Sequence, residues 1–236
     1  PELILEQAQT LLSAQDFTGI KVLVTAGPTE EPIDPVRHVT NRSTGRMGYA
    51  IARAARQRGA NVTLISGPTS LPVPYGVPLR RVRTAEQMRS AVIENRSGCH
   101  MIIKAAAVSD YRPEQIAEQK IKKGDGTMTL TLVKTPDILA ELGNDKRAHP
   151  CILVGFAAET EDLLKNAREK LKSKNLDMIV ANDVSRKDAG FASETNVVKL
   201  IYSDGSMEDS PLMTKDEVAH LVLDRAKALM EKEIGA

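Results

Sequence analysis

Short apolar segments rich in β-branched residues alternate along the chain with longer segments in which apolar residues recur at helical spacing. The first strand is predicted at residues 21–25 (KVLVT), and the first helix at residues 47–58, which end at Gly59. Further strands are predicted at residues 61–66, 100–108, 127–133, 151–156, 177–180 and 197–202. Further helices are predicted at residues 84–95, with Thr84 as the cap, and at residues 136–142, 161–172 and 214–234.

This alternation of strands and helices predicts an α/β fold, a Rossmann-like three-layer sandwich with a mostly parallel sheet. A long insertion follows the first strand, and Asp204-Gly205 after residues 197–202 indicates a late β-hairpin. The chain starts at Pro1 without Met, and residues 15–19 (QDFTG) have the composition of a linker. Residues 1–19 are therefore expected to be a helix and linker from a preceding domain, and residues 20–236 to form one domain.

Composition and charge exclude several classes of function. The formal charge is +1, so no global field attracts nucleic acid or a membrane surface, and the 3% of aromatic residues disfavour base stacking. No apolar run reaches the ~18 residues of a membrane span, and no signal peptide opens the chain. Cys99 and Cys151 adjoin apolar segments and are expected to be buried free thiols in the cytoplasm. The four histidines lack the spacing of a zinc site.

The connection after the first strand is the strongest functional signal. Residues 27–48, GPTEEPIDPVRHVTNRSTGRMG, are far longer than an ordinary βα loop, which favours a functional role. Ser43, Thr44 and Gly45 directly precede the next helix, whose amide groups and dipole would attract an anion. Arg37 could hold a phosphate through two parallel hydrogen bonds, and Asn41 is placed to hydrogen-bond a carboxylate or acyl oxygen.

Polar residues also follow the predicted strands, at residues 25–27, 109–110, 156–160 and 181–183. Because parallel strands end at the same edge of a sheet, these turns are expected to line one cleft. Lys170 and Lys174 share a helix face, and Lys120 lies in a second lysine group (KIKK). Two lysine sets beside one cleft suit a triphosphate, and Asp110 could accept hydrogen bonds from a ribose or a base.

Two other functions compete with triphosphate chemistry. A nicotinamide-dependent reductase is disfavoured because the chain lacks G-x-G-x-x-G, and its second strand ends in Ser66-Gly67 without the acidic residue that would bind ribose. A non-catalytic module that senses a nucleotide stays open, since it would keep the same cleft. The sequence also lacks a P-loop, which argues against a classical NTPase, and a Ser-His-Asp arrangement, which argues against a covalent enzyme intermediate.

Seven sequence blocks, taken together and in this order, resemble bacterial phosphopantothenate–cysteine ligases. They are GPTEEPIDPVR (27–37), TNRSTGRMG (40–48), AAAVSDYR (105–112), KIKK (120–123), TPDIL (135–139), GFAAET (155–160) and AND (181–183). In many bacteria such a ligase is the C-terminal half of a multifunctional enzyme whose N-terminal half is a decarboxylase. The resemblance therefore implies that FMN belongs only to a presumed missing N-terminal domain.

The resemblance also implies a reaction in coenzyme A biosynthesis. The carboxylate of 4′-phosphopantothenate attacks CTP, pyrophosphate leaves, and L-cysteine converts the acyl-cytidylate to phosphopantothenoylcysteine and CMP. Mg²⁺ is expected to assist, with unknown metal ligands, and the family acts as a homodimer, for which the hairpin from Val197 is a candidate contact. Residues 112–126 are expected to form a lid over bound nucleotide.

Site residues follow from the resemblance position by position. Asn41 and Lys120 are implied as catalytic. The implied nucleotide-binding residues are Lys104, Ala105, Ala106, Asp110, Lys120, Pro136, Asp137, Ile138, Leu139, Phe156, Lys170 and Lys174. The implied phosphopantothenate-binding residues are Arg37, Asn41, Ser43, Thr44, Gly45 and Ala107.

Overall fold

The computed structural model describes residues 2–124, 126–159, 162–183 and 195–234. The helices are α1 (Glu2–Leu12), α2 (Arg46–Gln57), α3 (Ala85–Asn95), α4 (Ile138–Asn144), α5 (Leu163–Ser173) and α6 (Lys215–Ile234). The strands are β1 (Lys21–Ala26), β2 (Glu30–Pro32), β3 (His38–Thr40), β4 (Asn61–Ser66), β5 (Leu79–Arg81), β6 (Met101–Lys104), β7 (Tyr111–Pro113), β8 (Leu132–Lys134), β9 (Ile152–Glu159), β10 (Met178–Asp183), β11 (Thr195–Asn196), β12 (Val198–Tyr202), β13 (Met207–Asp209) and β14 (Met213–Thr214).

Eight of these strands form one sheet in the order β13-β12-β10-β9-β6-β1-β4-β5. The six strands from β10 to β5 are parallel, and β12 and β13 are antiparallel additions that form the predicted late hairpin. From β1 the chain builds the sheet outward through β4 and β5, then returns to place β6 on the other side of β1. The strand order thus reverses between β1 and β6, which is where open α/β sheets bind ligands.

Alternating side chains of the strands divide the core into two layers. Val22 and Val24 of β1 pack in the layer that contains α2 and α6, whereas Leu23 packs in the layer that contains α3, α4 and α5. Strands buried on both faces are apolar at nearly every position, as the sequence of β1 is. The predicted three-layer sandwich is therefore confirmed.

Several predicted element bounds are right. Thr84 caps α3 as predicted, because its hydroxyl accepts the Gln87 amide at 3.2 Å and the Gln87 side chain accepts the Thr84 amide at 3.3 Å. Both thiols are free as predicted, although Cys99 and Cys151 are half-buried and not fully buried. None of the described helices is long and apolar enough to cross a bilayer.

Other bounds are wrong for local reasons. The strand predicted at residues 100–108 ends at Lys104, because residues 105–108 turn away to bond the loop after β1. The helix predicted from Pro136 begins at Ile138, since Asp137 is its cap and accepts the Ala140 amide at 3.1 Å. The strand predicted at residues 127–133 shrinks to β8, which pairs only with the three residues of β7.

The inserted connection after β1 contains an unpredicted hairpin, β2 and β3, and the short strands β5 and β7 were also not predicted. Phe156 lies within β9 and not after it, because that strand continues to Glu159. Thr160, at the end of the predicted turn at 156–160, and Glu161, at the start of the helix predicted at 161–172, lie outside the described residues.

The segment expected to be a linker is packed against the domain. The Phe17 side chain is fully buried, and Arg58 holds the Asp16 carboxylate through two hydrogen bonds of 2.8 and 2.6 Å. Arg58 also pairs with Asp224 of α6 at 2.6 Å. These contacts attach residues 16–17 to α2 and α6, while the domain boundary after residue 19 stays a prediction.

Candidate functional site

A cleft of about 620 Å³ opens at the carboxyl ends of β6, β9 and β10, beside the N-terminus of α2. It lies where the order of the strands reverses, as the fold requires. With two exceptions, Arg37 and Lys120, every predicted site residue lines this cleft. The lining residues predicted from the sequence are Asn41, Ser43, Thr44, Gly45, Lys104, Ala105, Ala106, Ala107, Asp110, Pro136, Asp137, Ile138, Leu139, Phe156, Lys170 and Lys174.

The N-terminus of α2 forms one wall of the cleft. Gly45 caps the helix in the left-handed region, at φ 77°, and as a glycine it has no side chain to bond the first amides of the helix. Gly48 allows α2 to lie directly on β1, because a Cβ there would be 2.6 Å from the Ala26 Cβ. The positive end of a twelve-residue helix therefore faces the cleft beside Ser43 and Thr44, an arrangement that favours an anion.

The backbone of residues 105–108 forms the middle of the cleft and is held from behind. The Ala106 amide donates to the Thr25 hydroxyl at 3.2 Å, and the Ala107 amide donates to the Gly27 carbonyl at 2.9 Å. The Asn41 amide nitrogen donates to the carbonyls of Ala107 (3.4 Å) and Val108 (3.0 Å). Asn41 thus joins the inserted connection to this segment, so its amide is well placed to define the shape of the cleft.

Lysine side chains and the N-terminus of α4 also line the cleft. Lys174 pairs with the Asp137 carboxylate at 3.0 Å. Burial would raise the pKa of Asp137, but the Ala140 amide and Lys174 hold that pKa below its ordinary value. Burial, together with the nearby charge of Lys174, lowers the pKa of Lys104 to about 8. Lys170 lines the same cleft, so three lysines add positive charge to that of the α2 N-terminus.

The floor of the cleft includes residues that the sequence did not single out as site residues. Leu176 and Ile179 add apolar surface next to Phe156. The Asn182 side-chain oxygen is buried and has no hydrogen-bond partner among the described residues. A buried acceptor without a partner is costly, so it suits a ligand donor.

Asn196 and Lys215 also reach the cleft from the end of the chain. Sequence reasoning named the turn at 181–183 that contains Asn182, but no local signal points to Asn196 or Lys215.

Arg37 and Lys120 lie outside the lining of this cleft. The Arg37 guanidinium bonds the Asp34 carboxylate (Nη1 to Oδ2, 3.3 Å) and the Ile121 carbonyl (Nη2 to O, 3.1 Å). The Lys120 side chain is exposed and directly precedes Ile121. The roles implied for Arg37 and Lys120 stay predictions, and both would require movement or another chain to reach the cleft.

The carboxylates of the cleft suit an Mg²⁺ ion that is bound together with a nucleotide better than one that is held by protein side chains alone. Across residues 2–124, 126–159, 162–183 and 195–234, no group of three His, Cys, Asp or Glu side chains could hold a metal ion. Asp110 supplies an exposed carboxylate at the cleft, whereas the Asp137 carboxylate is engaged by Lys174. Mg²⁺ is commonly bound through one or two carboxylates together with substrate phosphates.

Comparisons with known proteins agree with this fold. Residues 17–230 match the family described as DNA/pantothenate metabolism flavoprotein C-terminal domain. The chain is 50% identical over 215 residues to the coenzyme A biosynthesis bifunctional protein CoaBC of Bacillus subtilis (strain 168), covering 91% of this chain and 52% of that protein. It is 45% identical over 225 residues to CoaBC of Vibrio cholerae serotype O1 (strain ATCC 39315 / El Tor Inaba N16961), covering 94% of this chain and 56% of that protein.

A solved structure gives the same result. The crystal structure of the C-terminal domain of a coenzyme A biosynthesis bifunctional protein CoaBC superposes with a TM-score of 0.79 at 41% identity, covering 93% of this chain and all of that chain. The chain spans about half the length of the curated relatives it matches. The family match covers most of the sequence, and the fold agrees with it. The chain belongs to the family of the DNA/pantothenate metabolism flavoprotein C-terminal domain.

Proposed function

We propose that this chain is a ligase of coenzyme A biosynthesis that joins 4′-phosphopantothenate to L-cysteine at the expense of CTP. One observation carries the proposal: the α2 N-terminus, three lysines (Lys104, Lys170 and Lys174) and the backbone of residues 105–108 line the same cleft. The helix N-terminus and the lysines suit two anions, the phosphate of the acid substrate and the triphosphate. The similarity to CoaBC proteins supports the pathway.

The first step forms an acyl-cytidylate. A carboxylate oxygen of phosphopantothenate attacks the α-phosphorus of CTP, the bond from that phosphorus to the bridging oxygen breaks, and pyrophosphate leaves with the electron pair. Lys104, Lys170 and Lys174 offset the negative charge of the triphosphate and of the leaving group. Lys120 would add a further cation from outside the cleft. Bound Mg²⁺ would supply additional neutralisation of the phosphates, with Asp110 as the candidate carboxylate.

The second step forms the amide. The cysteine amine, as the free base, attacks the acyl carbon, the bond to the CMP phosphate oxygen breaks, and the amine proton leaves to solvent. Asn41 would polarise the acyl carbonyl, for which one N–H must turn from the Ala107 or Val108 carbonyl. The longer of these two bonds, at 3.4 Å to Ala107, is the weaker one to give up.

Small side chains at Ala105 and Ala106 would let a flat base approach the backbone. In this proposal, the half-buried Phe156 and the capped N-terminus of α4, at Pro136, Asp137, Ile138 and Leu139, complete the nucleotide site. Ser43, Thr44 and Gly45 would bind the substrate phosphate, with Arg37 and Ala107 in contact with the same substrate.

The wider assembly is proposed on the same basis. We expect a homodimer in the cytoplasm in which the β12–β13 hairpin contributes to the contact, with FMN confined to a separate decarboxylase half. A nucleotide-sensing module is the second candidate. The Asn182 oxygen, which has no partner within the described part of the chain, and the lysines of the cleft would equally serve binding alone.

Mass spectrometry of the reaction products tests the proposal. The protein is incubated with phosphopantothenate, L-cysteine, Mg²⁺ and either CTP or ATP. Phosphopantothenoylcysteine and CMP in equal amounts are expected with CTP. Binding of CTP without either product would favour the sensing module.

A further inference from the structure

The buried Asp34 carboxylate is hydrogen-bonded to two parts of the chain that are distant in sequence, its own turn and Ile121. Its side chain is fully buried, although the residue lies in the inserted connection after β1. Oδ1 accepts the amides of Val36 and Arg37, both at 2.8 Å. Oδ2 accepts the Arg37 guanidinium at 3.3 Å and the Ile121 amide at 3.1 Å.

Each carboxylate oxygen has a distinct task. Oδ1 closes the local turn at residues 34–37, a common use of aspartate. Oδ2 reaches across to Ile121, and Arg37 completes that link because its other terminal nitrogen donates to the Ile121 carbonyl at 3.1 Å. Both backbone groups of Ile121 are therefore bonded to the Asp34–Arg37 pair.

The segment before Ile121 is attached to the same turn. The Ala117 amide donates to the Ile33 carbonyl at 3.0 Å, so residues 117 and 121 are both fixed while the Lys120 side chain between them is exposed. Burial would raise the pKa of Asp34, but the three amides and Arg37 hold that pKa below its ordinary value. The carboxylate is thus charged, which strengthens each of its hydrogen bonds.

We infer that Asp34 is a positioning residue. It fixes the backbone at Ile121, next to Lys120, and so places the Lys120 side chain to act on the nucleotide. The inference rests on the proposed function, in which Lys120 acts on the triphosphate. Asp34 itself contacts only residues of its own turn and Ile121 among the bonds described above, and it does not line the cleft. Its effect on the reaction must then pass through the segment that it holds.

Asp34→Asn separates the two tasks of the carboxylate. The remaining Oδ1 can still accept the Val36 and Arg37 amides, whereas an NH₂ group at Oδ2 cannot accept the Ile121 amide or the guanidinium. The expected result is a 10- to 100-fold loss of kcat/KM for CTP-dependent product formation, about the worth of one or two charge-assisted hydrogen bonds, with most of the loss in kcat.

A double-mutant cycle with Lys120→Ala tests the route of the effect. If Asp34 acts through Lys120, Asp34→Asn added to Lys120→Ala lowers kcat/KM by less than about twofold, because the group being positioned is already absent. If the two losses multiply, Asp34 acts independently of Lys120, and the inference is wrong. Asp177→Asn is the matched control: Asp177 is also a buried carboxylate that accepts a backbone amide, from Leu153, and pairs with a lysine, but outside the cleft.

Hydrogen exchange provides a readout that needs no turnover. In Asp34→Asn the Ile121 amide is expected to exchange at least about tenfold faster, while the Ala117 amide, bonded to Ile33, keeps its rate. Unchanged exchange at Ile121 would overturn the inference even if activity fell. If wild-type protein forms no product but Ile121 exchange responds as expected, the proposed function fails and the anchoring contact stands.

Asp34→Glu covers the case in which Asp34→Asn does not fold. It keeps the negative charge and can still accept the Ile121 amide, so kcat/KM should recover to within about tenfold of the wild-type value. A loss of more than about 100-fold in a folded Asp34→Glu protein, with normal exchange at Ile121, would contradict the positioning role.

Discussion

Replacing Gly48 with alanine should displace the anion-binding end of α2. The new Cβ would lie 2.6 Å from the Ala26 Cβ and 2.8 Å from the Thr25 carbonyl oxygen. Both atoms belong to β1, which is held between β4 and β6 at the centre of the sheet, so the helix must move instead. Ordinary carbon–carbon contact needs about 3.5–4.0 Å, which requires a shift of about 1 Å.

The shift has separate consequences for stability and for activity. Overpacking of this kind costs about 1–3 kcal/mol, which corresponds to a Tm lower by about 2–12 °C for a chain of this size. A displacement of about 1 Å in a substrate-positioning element can reduce kcat/KM about 100-fold. Because Ser43, Thr44 and Gly45 directly precede α2, the KM for phosphopantothenate should rise more than the KM for CTP.

Steady-state kinetics should be measured about 20 °C below the Tm of the less stable protein, so that both proteins are folded. This separates the effect on activity from the effect on stability. Ala52→Gly is the matched control: Ala52 is a fully buried residue one turn further along α2, and its replacement costs about 1 kcal/mol of helix stability without inserting an atom. The control should lose stability but keep its kcat/KM. Wild-type kcat/KM in Gly48→Ala would show that the α2 N-terminus does not bind substrate.

Three further results are expected. Asn41→Asp places a carboxylate against the Val108 carbonyl, so the second step should slow at least about 100-fold while CTP binding stays within about threefold; product formation at the normal rate would exclude a role for Asn41. Lys104, with a pKa near 8, loses its charge as pH rises, so the Kd of CTP measured by calorimetry should weaken about tenfold from pH 7 to pH 9, and Lys104→Arg should remove this dependence. Arg58→Met should lower the free energy of unfolding in urea by about 2–4 kcal/mol without changing kcat. Arg58, and to a lesser extent Lys227, lower the pKa of Asp16, so these pairs stabilise the fold above the unfolded pKa of Asp16, near 4, and the stabilisation is lost as pH falls further. This acid-dependent loss should be smaller in Arg58→Met, in which Lys227 still pairs with Asp16 at 3.1 Å.

The parts of the fold that sequence could predict are those fixed by local pattern. The apolar strand β1 and the capping pair of Thr84 and Gln87 are determined by residues next to one another. The cleft was also predictable, because a parallel sheet brings the carboxyl ends of its strands to one edge. Residues as distant as Ser43 and Lys174 could therefore be expected in one site, and they line it.

The parts that sequence could not predict depend on distant partners. The β2–β3 hairpin has only three residues in each strand, and its support comes from elsewhere: the buried Glu31 carboxylate accepts the Ala85 amide at 2.8 Å, and the Glu30 amide donates to the Arg83 carbonyl at 2.8 Å. Isolated hairpins of this size are not stable in water, so no local signal marks them. The hydrogen bond that Arg37 donates to the carbonyl of Ile121, 84 residues away, could not be predicted for the same reason.

Pyrophosphate release in the absence of cysteine tests the central claim most directly. Rapid mixing of the protein with CTP, Mg²⁺ and phosphopantothenate should give a burst of about one pyrophosphate per cleft, because the acyl-cytidylate stays bound until an amine arrives. Addition of L-cysteine should then start steady turnover, and omission of phosphopantothenate should abolish the burst. Pyrophosphate release that is independent of phosphopantothenate, or no release despite CTP binding, would contradict the assignment of this cleft to carboxylate activation.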